Sequence, residues 1–194
     1  MRAMIAAPAA VVLAAGASTR MGRPKALLRH GERSFVACAV ELAAAAGCAP
    51  IVVVTGAQPI AEPLAATRVH NPAWPIGQLS SLQRGLAAVL ELGEPSGVLV
   101  LTVDRPHLRA STVSALVAAF REAPACVWQP EHAGRRGHPL IYPAALLPAL
   151  AALPASGDPR PLLREHAALR RGLAVDDPAT LDNLDHPEDL ARLR

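Results

Sequence analysis

Residues 11–25 read Val11-Val12-Leu13-Ala14-Ala15-Gly16-Ala17-Ser18-Thr19-Arg20-Met21-Gly22-Arg23-Pro24-Lys25. The apolar run from Ala9 to Ala15 predicts a short strand that is buried on both faces, as in a parallel sheet. Gly16 ends this run, and a glycine lets a ligand approach the backbone closely. The residues up to Gly22 are mostly small, so the backbone N–H groups of the loop can face an anion. We therefore predict a buried strand that leads directly into an anion-binding loop.

The loop also concentrates positive charge, because Arg20, Arg23 and Lys25 lie within six residues. Lys25 is the only lysine of the chain, and all other basic side chains are arginines. An ammonium is a compact point charge that can grip a phosphate oxygen, whereas a guanidinium is a planar fork. The alternative is a surface lysine without a role, which the flanking loop disfavours. The spacing matches neither the Gly-x4-Gly-Lys-Ser/Thr pattern of P-loops nor the Gly-x-Gly-x-x-Gly pattern of dinucleotide-binding folds.

Four further motifs follow this loop along the chain. They are Asn71-Pro72-x-Trp74-x-x-Gly77-Gln78-x-Ser80-Ser81-Leu82-x-x-Gly85-Leu86, Val103-Asp104-x-Pro106, Gly137-His138-Pro139 and Leu184-Asp185-x-Pro187-Glu188-Asp189-Leu190. Together with the segment from Leu13 to Leu28, the set resembles the nucleotidyltransferases that act on the molybdenum cofactor. It is most similar to the cytidylyltransferase type, with the guanylyltransferase type next. The first motif alone marks a broader superfamily, so the specificity of the resemblance rests on the whole set, which covers nearly all of the chain.

The resemblance implies transfer of a CMP moiety from CTP to the phosphate of molybdopterin, with release of pyrophosphate and a requirement for Mg²⁺. In this family, Ala-Ala-Gly at the start of the loop goes with cytidylyl transfer and a Gly-Gly version goes with guanylyl transfer. The implied catalytic residues are Lys25, Arg20 and Asp104, and the implied metal ligands are Asp104 and Asp185. The implied nucleotide-binding residues are Leu13, Ala14, Ala15, Gly16, Ser18, Arg20, Lys25, Gly77, Ser80 and Ser81. His138 and Arg136 are implied to bind the acceptor.

Chemistry supports the two carboxylates as candidate metal ligands. Asp104 follows the apolar run Val98–Val103, so it lies at the carboxyl end of a predicted strand, where α/β folds bind ligands. Mg²⁺ usually takes one or two carboxylates plus substrate phosphates. The alternative for Asp104 is a turn or a helix cap, and the alternative for Asp185 is a helix N-terminus. The family often carries Gln after the first Asp, so Arg105 departs from the pattern on the pterin side.

Three alternatives to cytidylyl transfer remain open. The first is a GTP-dependent guanylyltransferase for the same cofactor. The second is a nucleotidyltransferase for a sugar phosphate or a methylerythritol phosphate, against which the Gly-His-Pro and Gly-Gln-x-Ser-Ser motifs argue. The third is a non-catalytic chaperone that binds the nucleotide or the cofactor and delivers the cofactor to an apo-molybdoenzyme. The presence of Lys25 and Asp104 favours an enzyme over such a chaperone.

The composition predicts one domain over residues 1–194 and argues against nucleic acid and membranes as partners. Aromatic residues make up 3% of the chain, which disfavours base-stacking surfaces, and a net charge of +3 suits a nucleotide better than a duplex. No apolar run reaches the roughly 18 residues of a membrane span. The three cysteines lack a Cys-x-x-Cys pair, so neither a zinc site nor a disulfide framework is indicated. Residues 1–17 mimic a secretory signal, but its cleavage would delete the first strand, so we expect a cytoplasmic protein.

Alternation of strands and helices predicts an α/β class with a mostly parallel sheet and helices on both faces. The resemblance implies that this is a single-domain, Rossmann-like nucleotidyltransferase fold. The predicted strands are Ala9–Ala15, Ile51–Thr55, Arg68–His70, Val98–Val103, Cys126–Gln129, Leu140–Tyr142 and Leu173–Val175. The predicted helices are Phe35–Ala46 with Ser34 as its cap, Gln58–Ala66, Leu79–Leu92, a helix from the Ser111 cap to Glu122, a helix from Pro143 to Leu153, one opened by Asp158-Pro159, and a terminal helix from Pro187.

Overall fold

A computed structural model of the chain describes residues 7–193, so the start of the signal-like segment lies outside the described residues. Its strands are β1 Ala9–Ala14, β2 Arg29–His30, β3 Arg33–Ser34, β4 Ile51–Thr55, β5 Thr67–His70, β6 Gly97–Thr102, β7 Val127–His132, β8 Arg135–Arg136, β9 Leu140–Pro143 and β10 Arg170–Ala174. Its α-helices are α1 Phe35–Ala45, α2 Gln78–Leu92, α3 Ala110–Glu122, α4 Leu147–Ala152 and α5 Arg160–Glu165.

The main sheet has the order β10-β7-β9-β6-β1-β4-β5, with β8 paired to β7. Strands β1, β4, β5 and β6 run parallel, whereas β9 is antiparallel to both β6 and β7. The prediction of a mostly parallel α/β sheet is confirmed. In the middle of the sheet, Val12 lies between Val53 on β4 and Leu101 on β6. Because these strands are parallel, their carboxyl ends meet at one edge, where the loops after β1 and β6 come together.

Helices cover both faces of the sheet because side chains alternate along each strand. From β1, Ala10, Val12 and Ala14 pack with α1 and α3, while Val11 and Leu13 pack on the side of α2, α4 and α5. Strand β1 is fully buried, as the unbroken apolar run predicts. A Cβ atom at Gly85 of α2 would lie 2.5 Å from a methyl of Val11, so only glycine lets this helix approach the central strand so closely.

Two predicted helical features are wrong. Residues 58–66 form an irregular connection instead of a helix, because Pro59 and Pro63 each remove a backbone donor and restrict the preceding residue. Ser111 is not the cap of α3, since the helix begins at Ala110 with Arg109 as its N-cap. The carboxylate of Asp177 takes over the capping role, and it accepts hydrogen bonds from the Arg109 N–H at 3.0 Å and the Thr112 hydroxyl at 2.7 Å.

Other predicted boundaries hold to within a few residues or shift by a turn. Ser34 caps α1 by accepting from the Ala37 N–H at 3.1 Å, as predicted. Strand β7 runs three residues further than predicted, to His132, and the last strand begins at Arg170 rather than Leu173. The terminal segment Pro187–Leu193 is a 3₁₀ helix. No helix among residues 7–193 is both long and apolar enough to cross a membrane, and Cys38, Cys48 and Cys126 are all free thiols.

Candidate active site

The loop after β1 is held in shape by its own residues. Ser18 adopts a left-handed conformation with φ of 55°, which is uncommon for a residue with a side chain. Its hydroxyl accepts a hydrogen bond from the Lys25 N–H at 3.0 Å, and its carbonyl accepts one from the Met21 N–H at 2.9 Å. The buried Met21 side chain anchors the loop against Phe35 and Leu184. These bonds use the N–H groups at the far end of the loop, which leaves residues 16–20 as the part whose backbone can face an anion.

The two ends of the charged loop meet a carboxylate from the other end of the chain. The Lys25 Nζ atom donates to Asp185 Oδ1 at 2.5 Å, and an Arg20 nitrogen lies 3.9 Å from the same oxygen. The Lys25 hydrogen bond, followed by the charges of Lys25 and Arg20, lowers the pKa of Asp185 despite partial burial. Arg23 does not join this cluster, since it lines a separate surface groove with Leu27 and Leu190.

Asp104 is clamped by the buried side chain of Arg105. Arg105 Nη1 donates to Asp104 Oδ1 at 2.9 Å and to the Thr102 hydroxyl oxygen at 2.8 Å, while its Nη2 donates to Asn183 Oδ1. The Thr102 hydroxyl in turn donates to Asp104 Oδ1. The Leu184 N–H donates to the Asp104 carbonyl at 3.0 Å, so backbone and side chain both tie the segment at 183–185 to the end of β6.

The segment before α2 is ordered by a buried asparagine. Asn71 Nδ2 donates to the hydroxyl oxygens of Ser80 and Ser81, at 3.0 and 3.1 Å. The Ser80 hydroxyl donates to the carbonyls of Ala73 and Gly77. Ser80 therefore stabilises the turn from inside, and the lining of the first cavity, described below, includes Ser81 and not Ser80. Gly77 opens α2 with φ of 152°, a conformation that favours glycine, and sets the N-terminus of the helix at the carboxyl edge of the sheet.

These elements surround a first cavity of about 420 Å³. Its walls come from the loop after β1, the start of α2, the end of β6 and the segment around Asp185. The structure brings to this cavity all the predicted nucleotide-side residues except Ser80, together with both predicted metal ligands; they are Leu13, Ala14, Ala15, Gly16, Ser18, Arg20, Lys25, Gly77, Ser81, Asp104 and Asp185. Thr19, Trp74, Gln78 and Thr102 also line it and were not singled out from the sequence for this role.

A second cavity, of about 520 Å³, adjoins the first. The two share Leu13, Gln78 and Thr102 in their walls. One wall of the second cavity is apolar and is formed by Leu79, Leu82, Leu140 and Leu163. The polar and charged side chains that line this cavity are Gln129, Arg136, His138, Asp158, Arg160 and Arg170. The predicted acceptor residues Arg136 and His138 therefore lie together, in a cavity distinct from that of Lys25.

His138 lies close to the Asp104 end of the second cavity. Its side chain keeps surface open to the cavity, yet protein surrounds it on most other sides. This desolvation, together with the positive charge of Arg105, lowers the pKa of His138 to about 4 against the opposing pull of Asp104. The imidazole is therefore neutral near pH 7 and can both donate and accept a hydrogen bond.

A cation in the first cavity would have two carboxylates to hold it. Asp104 and Asp185 both line the cavity, and their backbone segments are hydrogen-bonded to each other. Among residues 7–193 no group of three or more His, Cys, Asp and Glu side chains is close enough to hold a metal by itself. Two carboxylates beside an open cavity suit Mg²⁺, because this cation completes its coordination shell with water and with phosphate oxygens of the substrate. Asn183 contributes nothing to this pair, since Arg105 holds its side chain.

The chain is similar in sequence and structure to known nucleotide-transferring proteins and to a protein named as an oxidoreductase. The model of the MobA-like NTP transferase domain family matches residues 10–170. The chain is 35% identical over 200 residues to a protein named nicotine blue oxidoreductase from Paenarthrobacter nicotinovorans, covering 94% of each. It is 29% identical to a probable molybdenum cofactor guanylyltransferase of Mycobacterium ulcerans, covering 94% of this chain and 90% of the relative. The crystal structure of Rv0371C in complex with manganese, from Mycobacterium tuberculosis H37Rv, has a TM-score of 0.68 at 25% identity, covering 96% of this chain and 97% of that one.

Proposed function

The chain belongs to the MobA-like NTP transferase family and is a nucleotidyltransferase, and within that activity we propose that it transfers CMP from CTP to the phosphate of a molybdopterin-type cofactor. The observation that carries this proposal is the pair of adjoining cavities, one lined by the basic loop and two carboxylates, the other by arginines and an apolar wall. Two substrates that must react with each other need two sites that meet, and these meet at Leu13, Gln78 and Thr102.

In the proposed reaction the nucleotide occupies the first cavity. Lys25 and Arg20 neutralise the charge of the triphosphate, and the backbone of residues 16–20 with the N-terminus of α2 adds hydrogen-bond donors. Lys25 is half of an ion pair with Asp185 in the free protein, so binding of the triphosphate exchanges that carboxylate for phosphate oxygens. The backbone donors of the loop and of α2 need no such exchange, so they require little reorganisation when charge develops on the leaving pyrophosphate.

Asp104 and Asp185 would hold a divalent cation, for which we propose Mg²⁺. When bound, the cation neutralises phosphate charge and orients the triphosphate. Arg105 holds the Asp104 carboxylate on one side and leaves its other side toward the cavity. Lys25, once it has moved from Asp185 to the triphosphate, frees that carboxylate for the cation.

The acceptor occupies the second cavity, with its phosphate at the end next to Thr102 and His138. An oxygen of that phosphate attacks the α-phosphorus of CTP, the bond from this phosphorus to the bridging oxygen breaks, and pyrophosphate leaves. A phosphate monoester is already anionic at neutral pH, so the step needs positioning and charge neutralisation rather than a strong base. Neutral His138 donates a hydrogen bond to the attacking phosphate, and Arg136 supplies positive charge nearby.

The most detailed part of the proposal is which nucleotide base the protein prefers. Ala14-Ala15-Gly16 supports CTP through the family resemblance, whereas the relatives named guanylyltransferases support GTP equally well. Ala15 is only 4% exposed, and its methyl lies against Gly56 and beside Trp74, at the wall of the first cavity. We propose that this tight wall favours the smaller pyrimidine.

A second candidate function comes from the relative named for oxidation and reduction. The likeness to nicotine blue oxidoreductase extends over 94% of both chains, which is more than a shared motif. The first cavity lacks the Gly-x-Gly-x-x-Gly loop of dinucleotide-binding folds. Its basic loop after β1 could nevertheless bind the phosphates of a nicotinamide dinucleotide. Reduction of nicotine blue by the purified protein, with NADH or NADPH supplied, would favour this candidate.

The same proposal includes a cytoplasmic location, because removal of residues 1–17 as a signal would delete β1 from the middle of the sheet. An apo-molybdoenzyme is the proposed recipient of the product. The test is release of pyrophosphate by the purified protein with Mg²⁺, molybdopterin and each of the four NTPs in turn. The proposal requires release that depends on the acceptor and is fastest with CTP; release from CTP without the acceptor, or none at all, would count against it.

A further inference from the structure

The second cavity contains two arginines, Arg136 and Arg170, that lie near carboxylates without forming an ion pair with them: Glu131 is directly across from Arg136 in the ladder of β7 and β8, and Asp158 lines the same cavity. Among residues 7–193 neither Arg136 nor Arg170 forms a salt bridge, whereas the third arginine of the cavity, Arg160, is paired with Asp158. Burial and the nearby charge of Arg136 lower the pKa of Arg170, which means that its cationic form lacks full compensation. Placing positive charge in a recess without a partner is costly unless a ligand supplies the opposite charge.

Arg170 is held in place by a buried amide. Its Nη2 donates to Gln129 Oε1 at 2.7 Å, and Gln129, which is 6% exposed, contacts the Gly137 carbonyl with its other end. The Nε of Arg170 is buried without a protein partner, which is the kind of defect that structures tolerate at functional sites. The guanidinium is therefore held by Gln129 through Nη2, whereas its Nη1 has no hydrogen-bond partner in the described part of the chain, and the Arg170 side chain lines the cavity.

The two ends of the cavity are electrostatically different. The charges that act on His138 are those of Arg105 and Asp104, so this end adjoins the transfer site. The groups that act on Arg170 are the cation of Arg136 and the hydroxyl of Tyr142 rather than Arg105 or Asp104, and the carboxylate at this end is Asp158, which is paired with Arg160. The apolar wall with Leu79, Leu82 and Leu140 runs along the same cavity. An acceptor that fills it needs a phosphate at one end, an apolar or flat body, and a second acidic group at the other.

We propose that Arg170, positioned by Gln129 and assisted by Arg136, forms a distal anion subsite that recognises a second acidic group of the acceptor, away from the phosphate that reacts. This proposal rests on the proposed function only for the identity of the acceptor. The subsite requires an acceptor that carries a phosphate and another anionic group on one flat body. Arg170 then selects which phosphate-bearing molecules bind as acceptors, whereas Lys25 and Asp104 act in the transfer of the nucleotide.

The first experiment measures binding without catalysis. The probes are 1-naphthalenesulfonate, an anion on a flat apolar body, and 1-naphthalenesulfonamide, its neutral analogue, each titrated by calorimetry. We expect wild type to bind the sulfonate about tenfold more tightly than the sulfonamide, since hydrogen bonds to charged groups are worth roughly that factor. The preference should vanish in Arg170→Gln and persist in part in Arg170→Lys. Arg171 is the exposed neighbour of Arg170 on the same strand, and Arg171→Gln should leave the preference for the sulfonate unchanged.

Equal binding of the two probes by wild type, or an unchanged preference in Arg170→Gln, would overturn the subsite. The second experiment uses molybdopterin as acceptor and CTP as donor. Arg170→Gln should raise the KM for the acceptor by about tenfold while the KM for CTP stays within about twofold, because only one cavity changes. A rise in both KM values, or in neither, would contradict a subsite confined to the acceptor. If wild type transfers nothing to molybdopterin, the proposed function fails, and the binding experiment still decides the subsite.

Discussion

The two cavities are built in different ways. The first takes half of its lining from one contiguous segment, residues 13–26, and the rest from the start of α2, the end of β6 and Asp185. The second takes its polar groups from β7, β8, α5 and β10 and from His138, which are far apart in sequence. In the first cavity each cation named above has a carboxylate partner, since Lys25 and Arg20 face Asp185 and Arg105 faces Asp104. In the second, two arginines lack such partners. The difference indicates a general transfer site beside a site that selects its ligand by charge.

The largest effect should come from the carboxylate at the centre of the first cavity. Asp104→Asn keeps the shape and one acceptor oxygen but removes the negative charge that a hard cation requires. We expect metal-dependent turnover to be abolished and the fold to remain. Asp185→Asn should do less, because Lys25 already offsets that charge in the free protein. Turnover measured against Mg²⁺ concentration compares the two variants, and greater damage from Asp185→Asn would reverse their ranking.

The next largest effect should come from Lys25. Lys25→Ala removes the point charge from the triphosphate and should reduce kcat/KM by about 100- to 1,000-fold. Lys25→Arg should restore part of this, since a guanidinium keeps the charge but not the geometry of an ammonium. The loss should be the same for every acceptor that the protein uses, because Lys25 does not line the second cavity. Arg23→Ala is the matched control, and it should leave kcat/KM unchanged because Arg23 lies outside the first cavity.

A third prediction concerns stability rather than rate. Arg105 is buried and bonded to Thr102, Asp104 and Asn183, so Arg105→Ala leaves buried acceptors unpaired. We expect a loss of about 1–3 kcal/mol in the free energy of unfolding, measured by urea denaturation. Lys25→Ala should change the unfolding free energy much less, because the Lys25–Asp185 pair lies at the cavity surface. Equal losses in the two variants would mean that Arg105 does not tie β6 to the segment at 183–185.

The smallest effect should be on the choice of base. Ala15→Gly removes a buried methyl from the wall between Gly56 and Trp74 and should let a purine fit better. A small group in a pocket discriminates by about 1–3 kcal/mol, so we expect a shift in preference and not a switch. The ratio of kcat/KM for CTP to that for GTP should fall in Ala15→Gly. A wild-type preference for GTP would overturn the cytidylyl assignment and leave nucleotidyl transfer intact.

The sequence predicts the first cavity well because its residues are local. One apolar run fixes β1, Gly16 ends the buried run, and the charged side chains follow within a few positions. The hydrogen bond that buries the Ser80 hydroxyl was not predicted, because nothing local indicates that Asn71 will reach it. The alternation of strands and helices was enough to predict the fold class. The residue that caps α3 could not be predicted in this way, because Asp177 reaches the helix from far along the chain.

The second cavity was predicted only in part. His138 and Arg136 follow from the family resemblance, whereas none of the sequence motifs includes Arg170. Its proposed role depends on Gln129, which the parallel pairing of β7 and β10 brings beside it. A register that places Gly172 beside Gln129 cannot be read from either strand alone. Arg170 and Arg171 open β10 in the structure, and two adjacent arginines just before a predicted strand are the signal that could have drawn attention to it.

The most direct test of the account is a single reaction followed by two readouts. Purified protein, Mg²⁺, CTP and molybdopterin are mixed, and pyrophosphate and the nucleotide product are measured together. The account predicts one pyrophosphate released for each CMP joined to the acceptor phosphate, with release lost when either the acceptor is omitted or Lys25→Ala replaces wild type. If none of the four NTPs gave pyrophosphate in the presence of the acceptor, the result would contradict the account.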